Sequence, residues 1–388
     1  MPDFSDVSSR VYGLESALAE RQVRLMDKLS RCSIVPYALY ASTTALAQND
    51  ETDLALTDLY NDQSGPMVIT RVRVYTSADP LTAEAAVAPF SNVALRVSDP
   101  KRGNVLTKDP VLLPVLASIR DNSWLLDRPY VLFSTHGLFV QATEQDINGT
   151  TLLFVSFLGE AVLGDMTGPE VEEAIALGVY PLPGRQTSIW DQALLYGGLF
   201  GPKPPRLKGE AADILDDLRK KAARLREMLR DASYNFYALV SNSNNITRNA
   251  TTAMSRENFR IDQGGPFAVS RIRTRVGSSL AASAALALFE SVAFSIEAVD
   301  ERVQLTKLGV PILGPCLFSR SDNTWSLEHP YILGKNGSFQ VNITEQDINA
   351  TTDVFVSFLG ETVYGMKDTD LRAAVALGLY PLMERARS

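Results

Sequence analysis

The chain has 388 residues, of which 45% are hydrophobic and 21% are charged, a composition suited to two or three packed domains. Its net charge of −8 argues against a protein that binds nucleic acid over much of its surface, because phosphate binding requires basic surfaces. Two cysteines, Cys32 and Cys316, exclude a disulfide framework and a cysteine metal cluster. The apolar runs are too short to span a bilayer. The acidic, polar start MPDFSDVSSR does not resemble a signal peptide, so we expect no secretion by that route.

The first predicted element is an amphipathic helix over residues 8–31. Its stripe has the three- and four-residue steps of a helix face and is apolar except for one glutamine: Val11, Leu14, Leu18, Gln22, Leu25 and Leu29. The pattern then changes to period two, and Val93, Leu95 and Val97 share one strand face. Such alternation between Gly-, Pro- and Asn-rich turns predicts antiparallel strands. Residues 33–164 therefore predict a β-sandwich, with a jelly roll as the leading topology.

A short helix over residues 168–178 closes this unit. Pro169 lies near its start, and Gly178 lies where helices favour a terminal glycine. The following residues, 183–209, are rich in glycine and proline, which predicts a linker. We expect its apolar centre around Trp190 to dock on another surface.

The second half of the chain repeats the first. DQSGPMVITRVR at 62–73 returns as DQGGPFAVSRIR at 262–273, and TEQDINGTTLLFVSFLGEAVLG at 143–164 returns as TEQDINATTDVFVSFLGETVYG at 344–365. Matches this long and in the same order indicate a duplicated unit. The sequence thus predicts a mainly β protein with two homologous antiparallel sandwiches. Its first repeat is 1–182, and its second repeat is 210–388, with a helix at 210–232, a sandwich at 235–365 and a short helix at 369–378.

The helix at 210–232 carries a heptad seam. Its members are Ala211, Leu215, Leu218, Ala222, Leu225, Leu229 and Ala232. Such a seam packs either on its own domain or on a neighbouring repeat or subunit, and three heptads are short for a coiled coil. As candidate subunit contacts we predict Leu215, Leu218, Leu225 and Leu229.

Two arginine pairs follow the repeated DQxGP turn: Arg71 with Arg73, and Arg271 with Arg273. Residues two apart on a strand share one face, so each pair presents two guanidinium groups together. Such a face is either solvated and salt-bridged, a subunit contact, or a contact with phosphates. We include all four arginines among the candidate subunit contacts.

Catalytic signatures are absent from the sequence. His136 and His329 stand opposite Gly337 and Arg128 in the repeat alignment, so no histidine occurs in both copies. No GxSxG, HExxH, phosphate-loop or GxGxxG motif occurs. The repeated TEQDIN loosely matches calcium-loop spacing but lacks the closing acidic residue. A polar turn is therefore favoured over a calcium site or an acid/base pair. We expect no catalytic residue, cofactor or metal.

Two further residue types have alternative interpretations. Trp124 and Trp325 occupy equivalent places in DNxWxLxxPY, where each either caps a sandwich core or offers a sugar-stacking platform. Cys316 lies in the apolar stretch VPILGPCLF, which favours an inert, buried thiol.

A duplicated sandwich without catalytic residues favours a binding or building module. The layout of helix, jelly-roll-like sandwich and short helix, repeated once over most of the chain, resembles the jelly-roll capsid and capsid-associated proteins of viruses, including bacteriophages. That resemblance rests on length, tandem arrangement and strand pattern, with no diagnostic motif. It implies a virion component that is assembled in the host cytoplasm and binds itself and other virion proteins. From the charge and the short apolar runs, we expect no membrane partner and argue against a nucleic-acid partner.

The two halves of this chain are more alike than the paired barrels of known capsid proteins, which argues against a major capsid protein and leaves minor capsid, decoration, collar and tail-associated roles open. The alternative is a tandem carbohydrate-binding or adhesin module, which predicts an exposed tryptophan. A glycan hydrolase or lyase would require an acidic cleft made of single-copy residues.

Overall fold

A computed structural model describes residues 4–43, 46, 51–54, 58–78, 92–118, 122–144, 151–181, 207–243, 251–278, 292–307, 310–319, 321–345 and 352–380. These residues form two domains with the same order of elements. The linker around Trp190 and the last four residues of both TEQDIN motifs, 145–148 and 346–349, lie outside the described ranges.

The elements of domain 1 are α1 (Phe4–Leu29), β1 (Ser33–Ser42), β2 (Glu51–Asp53), β3 (Met67–Ala78), β4 (Val93–Asp99), β5 (Asn104–Val105), β6 (Val111–Leu112), α2 (Leu113–Leu116), β7 (Ser123–Leu132), β8 (Phe139–Glu144), β9 (Thr151–Leu163) and α3 (Gly168–Ala176). The elements of domain 2 are α4 (Glu210–Asp231), β10 (Ser233–Ser243), β11 (Thr251–Ala253), β12 (Phe267–Ser278), β13 (Val292–Ala298), β14 (Val303–Gln304), β15 (Ile312–Leu313), α5 (Gly314–Leu317), β16 (Thr324–Leu333), β17 (Phe339–Glu345), β18 (Thr352–Tyr364) and α6 (Asp368–Ala376).

In each domain the first strand pairs with the last, the second with the last but one, and so on toward the middle of the domain. In domain 1, β1 pairs with β9, β2 with β8, β3 with β7, and β4 with β5 and β6. The two sheets are ordered β1-β9-β3-β7 and β2-β8-β4-β5 in domain 1, and β10-β18-β12-β16 and β11-β17-β13-β14 in domain 2. This is the order of a jelly roll. The prediction of two tandem, jelly-roll-like antiparallel sandwiches is confirmed.

The cores lie between the two sheets of each domain, where the period-two pattern places its apolar side chains. In domain 1, Val93, Leu95 and Val97 are buried as their alternation predicts. Domain 2 fills the same space with more aromatic rings. Phe339 and Phe358 stack with their centroids 4.1 Å apart and their planes at 3°.

Helices cover one end of the outer face of the β1-β9-β3-β7 sheet. Ile34, Val68 and Val162 lie in one buried cluster with apolar residues of α1 and α3. Helix α1 begins at Phe4, upstream of the predicted start at residue 8. The predicted terminal glycines, Gly178 and Gly378, follow α3 and α6 with φ of +68° and +65°. This left-handed conformation is one that glycine adopts without strain. Among the helices that the structure describes, none has the length and apolar character of a membrane crossing.

Candidate assembly interface

The two domains contact each other through different surfaces of the same fold. Domain 1 uses the outer face of its β1-β9-β3-β7 sheet, beyond the part that the helices cover; we call this part the sheet face. Domain 2 uses three segments at the side of its sandwich, which we call the edge surface: Leu305–Lys307, Gly314–Phe318 and Trp325–His329. Because two different surfaces meet, the contact is heterologous.

Backbone hydrogen bonds extend the sheet of domain 1 into domain 2. The Ala38 N–H donates to the Leu305 carbonyl at 3.1 Å, and the Lys307 N–H donates to the Ala38 carbonyl at 3.1 Å. Ala38 and Thr306 thereby form a parallel bridge. Since β1 is the edge strand of its sheet, this segment covers an edge that would otherwise offer unpaired backbone groups.

Apolar packing fills the centre of the contact. Tyr40 and Tyr75 lie on either side of Phe154, with ring centroids 6.3 and 6.0 Å from it. All three belong to one buried cluster with Leu305 and Trp325 of domain 2. The Ser156 hydroxyl donates to the Cys316 carbonyl at 2.5 Å. The sheet face is thus buried as completely as an ordinary core.

Charged groups of opposite sign meet at one side of the contact. The Glu160 carboxylate, 2% exposed, accepts the His329 backbone N–H at 2.8 Å and lies 2.8 Å from Nδ1 of the His329 ring. The Tyr180 hydroxyl donates to its second oxygen at 3.1 Å. Arg71 lies 3.9 Å from Glu328, whose carboxylate also accepts the Thr70 hydroxyl at 3.3 Å. These pairs keep the buried charges compensated.

His329 and Glu328 both have raised pKa values. Burial alone lowers the pKa of His329, but the charge and hydrogen bonds of Glu160 outweigh burial, so the pKa is raised. Burial raises the pKa of Glu328, and the negative charge of Glu160 raises it further. Both groups therefore bind a proton more tightly in the folded chain than in the unfolded one.

We predict that the contact weakens as the pH rises. A raised folded pKa gives His329 a stabilising contribution that is complete below its unfolded pKa, about 6.5, and is lost as the pH rises through the folded value. Glu328 acts in the same direction: its stabilising contribution is complete below its unfolded pKa of about 4.3 and is lost as the pH rises through its raised folded pKa. The groups that face the His329 ring are the Glu160 carboxylate and the Tyr180 ring. The melting temperature of the wild type minus that of His329→Gln should therefore fall with rising pH.

The control for this prediction is Arg128→Gln, which changes the equivalent, exposed position of domain 1 outside the domain contact and should retain the wild-type pH profile. Melting curves followed by circular dichroism across mildly acidic to mildly alkaline pH provide the measurement. A difference between wild type and His329→Gln that stays constant with pH would contradict the prediction.

The structure places the two arginine pairs on equivalent faces in different surroundings. Arg71 and Arg73 belong to the sheet face of domain 1; Arg73 is 1% exposed, and Arg71 lies beside Glu328. Arg271 and Arg273 belong to the same face of domain 2 and are exposed. The first pair therefore contacts the other domain of its own chain, and contact of either pair with another subunit stays a prediction.

The predicted heptad leucines are buried in two clusters within the chain. Leu215 and Leu218 pack with apolar residues of α1 and α3 in domain 1, whereas Leu225 and Leu229 pack on domain 2. Helix α4 thus connects the domains, and Lys221 donates to the Ser30 carbonyl at 3.1 Å. A role of these leucines in contacts between subunits stays a prediction. Such a contact would require their side chains to leave the clusters in which they are buried.

The remaining candidates from the sequence are buried or half-buried. Trp325 is 4% exposed in the domain contact, and Trp124 is half-buried against the core of domain 1. Burial raises the pKa of Cys316, which keeps its thiol protonated and unreactive. Among the residues that the structure describes, no three His, Cys, Asp or Glu side chains group as metal ligands would.

Sequence reasoning missed Glu160 and Ala38, and it considered His329 only as a catalytic candidate. A usable signal exists in the repeat alignment. Val35 and Tyr75 of domain 1 stand opposite Asn235 and Arg275 of domain 2. An apolar residue in one copy opposite a polar one in the other marks a surface that, within the chain, only the first copy buries.

Comparisons with known proteins found no matching family model and no matching curated protein. Among solved structures, infectious bursal virus derived T=1 particles match with a TM-score of 0.19 and 8% identity over 89% of this chain and 72% of that chain. The infectious bursal disease virus VP2 subviral particle matches with a TM-score of 0.19 and 10% identity over 88% and 74%. Vicilin from hazelnut, Corylus avellana, matches with a TM-score of 0.15 and 8% identity over 83% and 85%. At these scores, the fold assignment depends on the strand order of this chain alone.

Proposed function

We propose that the protein is a non-enzymatic structural component of a virus particle, bacteriophages included, that self-assembles through its two jelly-roll domains. The observation that carries the proposal is the heterologous contact between two equivalent domains. A surface pair of this kind, repeated from unit to unit, builds rings, shells or filaments. The proposed partners are further copies of this chain and other virion proteins, and the proposed location is the virion, assembled in the host cytoplasm.

Jelly rolls also serve as lectins and cupins. The tandem carbohydrate-binding alternative requires an exposed tryptophan platform, and the burial of Trp325 in the domain contact disfavours that role for it. Sheet faces that pack against the next domain are what a building unit requires. The capsid class of jelly roll therefore fits the described residues best.

The proposal is tested by the mass and shape of the purified protein. We expect light scattering to give masses of two or more 42.4 kDa chains, and electron microscopy to show rings or shells. A protein that stays monomeric at every concentration, and that loses binding to a glycan when the half-buried Trp124 is changed to alanine, would favour the carbohydrate-binding alternative instead.

A further inference from the structure

We propose that a second copy of this chain docks head to tail, with the edge surface of its domain 1 on the sheet face of domain 2. The contact would repeat the one that joins the two domains within a chain. This inference rests on the proposed self-assembly and specifies the surfaces through which it occurs.

The sheet face of domain 2 is open, and large apolar side chains lie on it beside the exposed arginines of β12. Phe236 is 75% exposed, Val240 is 54% exposed and Phe355 is 39% exposed. By strand register, these residues are the counterparts of the buried residues Pro36, Tyr40 and Phe154. Large apolar side chains clustered on an exposed face mark an interaction surface. In domain 1, the equivalent face is covered by the edge surface of domain 2.

The edge surface of domain 1 consists of the equivalent segments Leu106–Lys108, Leu113–Ala117 and Trp124–Arg128, and it is open as well. Val115 is 75% exposed and Leu125 is 62% exposed. The counterpart of Val115 is Cys316, which is fully buried against domain 1. Among the residues that the structure describes, each chain therefore has one open copy of each surface, and these are the counterparts of the two surfaces that pack together within the chain.

A groove beside β10 matches a segment of domain 1. Ala238 lies opposite Leu359, as Ala38 lies opposite Leu158, so its N–H and carbonyl point outward from the sheet. They face a groove of about 590 Å³ lined by Tyr237–Val240, Arg260–Asp262 and other residues. In domain 1, this position is filled by Leu305–Lys307.

The segment that would fill the groove in a second copy is Leu106–Lys108. It has the same anchored conformation as Leu305–Lys307, because Thr107 accepts the Val97 N–H at 2.8 Å as Thr306 accepts the Ile296 N–H at 2.9 Å. It could therefore bridge to Ala238 with the backbone hydrogen bonds that Leu305–Lys307 makes to Ala38. An exposed edge strand is a ready template for such pairing.

Charge complementarity favours the same arrangement. Within the chain, Glu160 meets His329, Arg71 meets Glu328, and Lys307 lies near Asp62. The equivalent residues on the two open surfaces again carry opposite charges: Glu361 with Arg128, Arg271 with Asp127, and Asp262 with Lys108. Opposite charges at all three positions are expected of a repeated contact, and they would fix its register.

Two matched valine substitutions test the inference. Val115→Asp blocks the edge surface and Val240→Asp blocks the sheet face; both positions are exposed, so the fold should persist. We expect each variant alone to be monomeric at concentrations where the wild type assembles. An equimolar mixture should form a complex of two chains and no more, because only one compatible pair of surfaces remains. Leu18→Asp, at an apolar residue on α1 that is 46% exposed, is the control and should assemble as the wild type does.

A wild type that assembles, together with two variants that assemble equally well, would overturn the head-to-tail contact and leave the proposed function standing. A dimer formed by either variant alone would also overturn it, because the contact would then join like surfaces. A wild type that never assembles would overturn both proposals. Light scattering measures all of these masses.

A charge exchange keeps the test decisive should either aspartate variant fail to fold. Asp127→Arg and Arg271→Glu each place like charges together at exposed positions, and we expect each to weaken assembly at least tenfold at low salt. The double variant restores opposite charges and should regain assembly. Weak assembly of the double variant would overturn the pairing.

Discussion

Replacing Gly360 by alanine should lower the free energy of unfolding by about 3 kcal/mol or more. A Cβ at this position would lie 1.9 Å from the carbonyl oxygen of Ala268 on the adjacent strand. That oxygen belongs to the backbone of β12, just before the register irregularity between Val269 and Arg271, so relief requires a shift of the strand. The same reason applies to Gly159 of domain 1, whose Cβ would lie 2.0 Å from the Val68 carbonyl oxygen.

Gly264 and Gly265 provide a matched control for this prediction. A Cβ at Gly265 would lie 2.3 Å from the Val363 carbonyl oxygen, whereas a Cβ at Gly264 would meet nothing nearer than the Tyr364 ring at 3.7 Å. We therefore expect Gly265→Ala to be destabilising and Gly264→Ala to be close to neutral. Urea unfolding followed by circular dichroism gives the midpoints. Equal midpoints for Gly264→Ala and Gly360→Ala would contradict the steric explanation.

These glycines also explain part of the repeat that the sequence shows. The FLGE and DQxGP motifs occur in both halves, and their glycines lie where adjacent backbones approach closely. The carboxylates of TEQDIN first suggested a site, but the identity that follows them is that of a buried strand and its close approach. Repeated residues here reflect the requirements of the fold.

The architecture could be predicted because its signals are local. Period-two alternation places Phe339, Val341 and Ile343 on one strand face, and the three- and four-residue steps of α4 place its leucines on one side. The two-residue strands, such as β5 and β14, could not be predicted because they are too short to show a period.

The domain contact could not be predicted because it joins residues far apart in the chain. Glu160 and His329 meet only after both domains have formed, and nothing in their neighbours indicates the partner. The heptad seam of α4 predicted a buried face correctly, but periodicity does not say what covers that face. Leu215 and Leu225 carry the same signal and pack on different domains.

Replacing Glu160 by alanine should cost about 3–5 kcal/mol of stability, the range for removing one partner of a buried ion pair. The His329 ring and its backbone N–H would both lose their acceptor in a buried site, as would the Tyr180 hydroxyl. The effect of His329→Gln on the melting temperature should also depend less on pH when it is measured in the Glu160→Ala variant. The reason is that the carboxylate that raises the pKa of His329 is then absent.

Glu361 is the matched control, because it occupies the same position in domain 2. It accepts the Tyr380 hydroxyl at 3.2 Å, as Glu160 accepts the Tyr180 hydroxyl, but no second domain of its own chain covers it, and it is only half-buried. Measured in the Val240→Asp background, where chains should stay separate, Glu361→Ala should cost far less than Glu160→Ala. Equal losses would show that the domain contact adds nothing to the role of this carboxylate. A large difference would measure what one jelly roll gains from covering the sheet face of another.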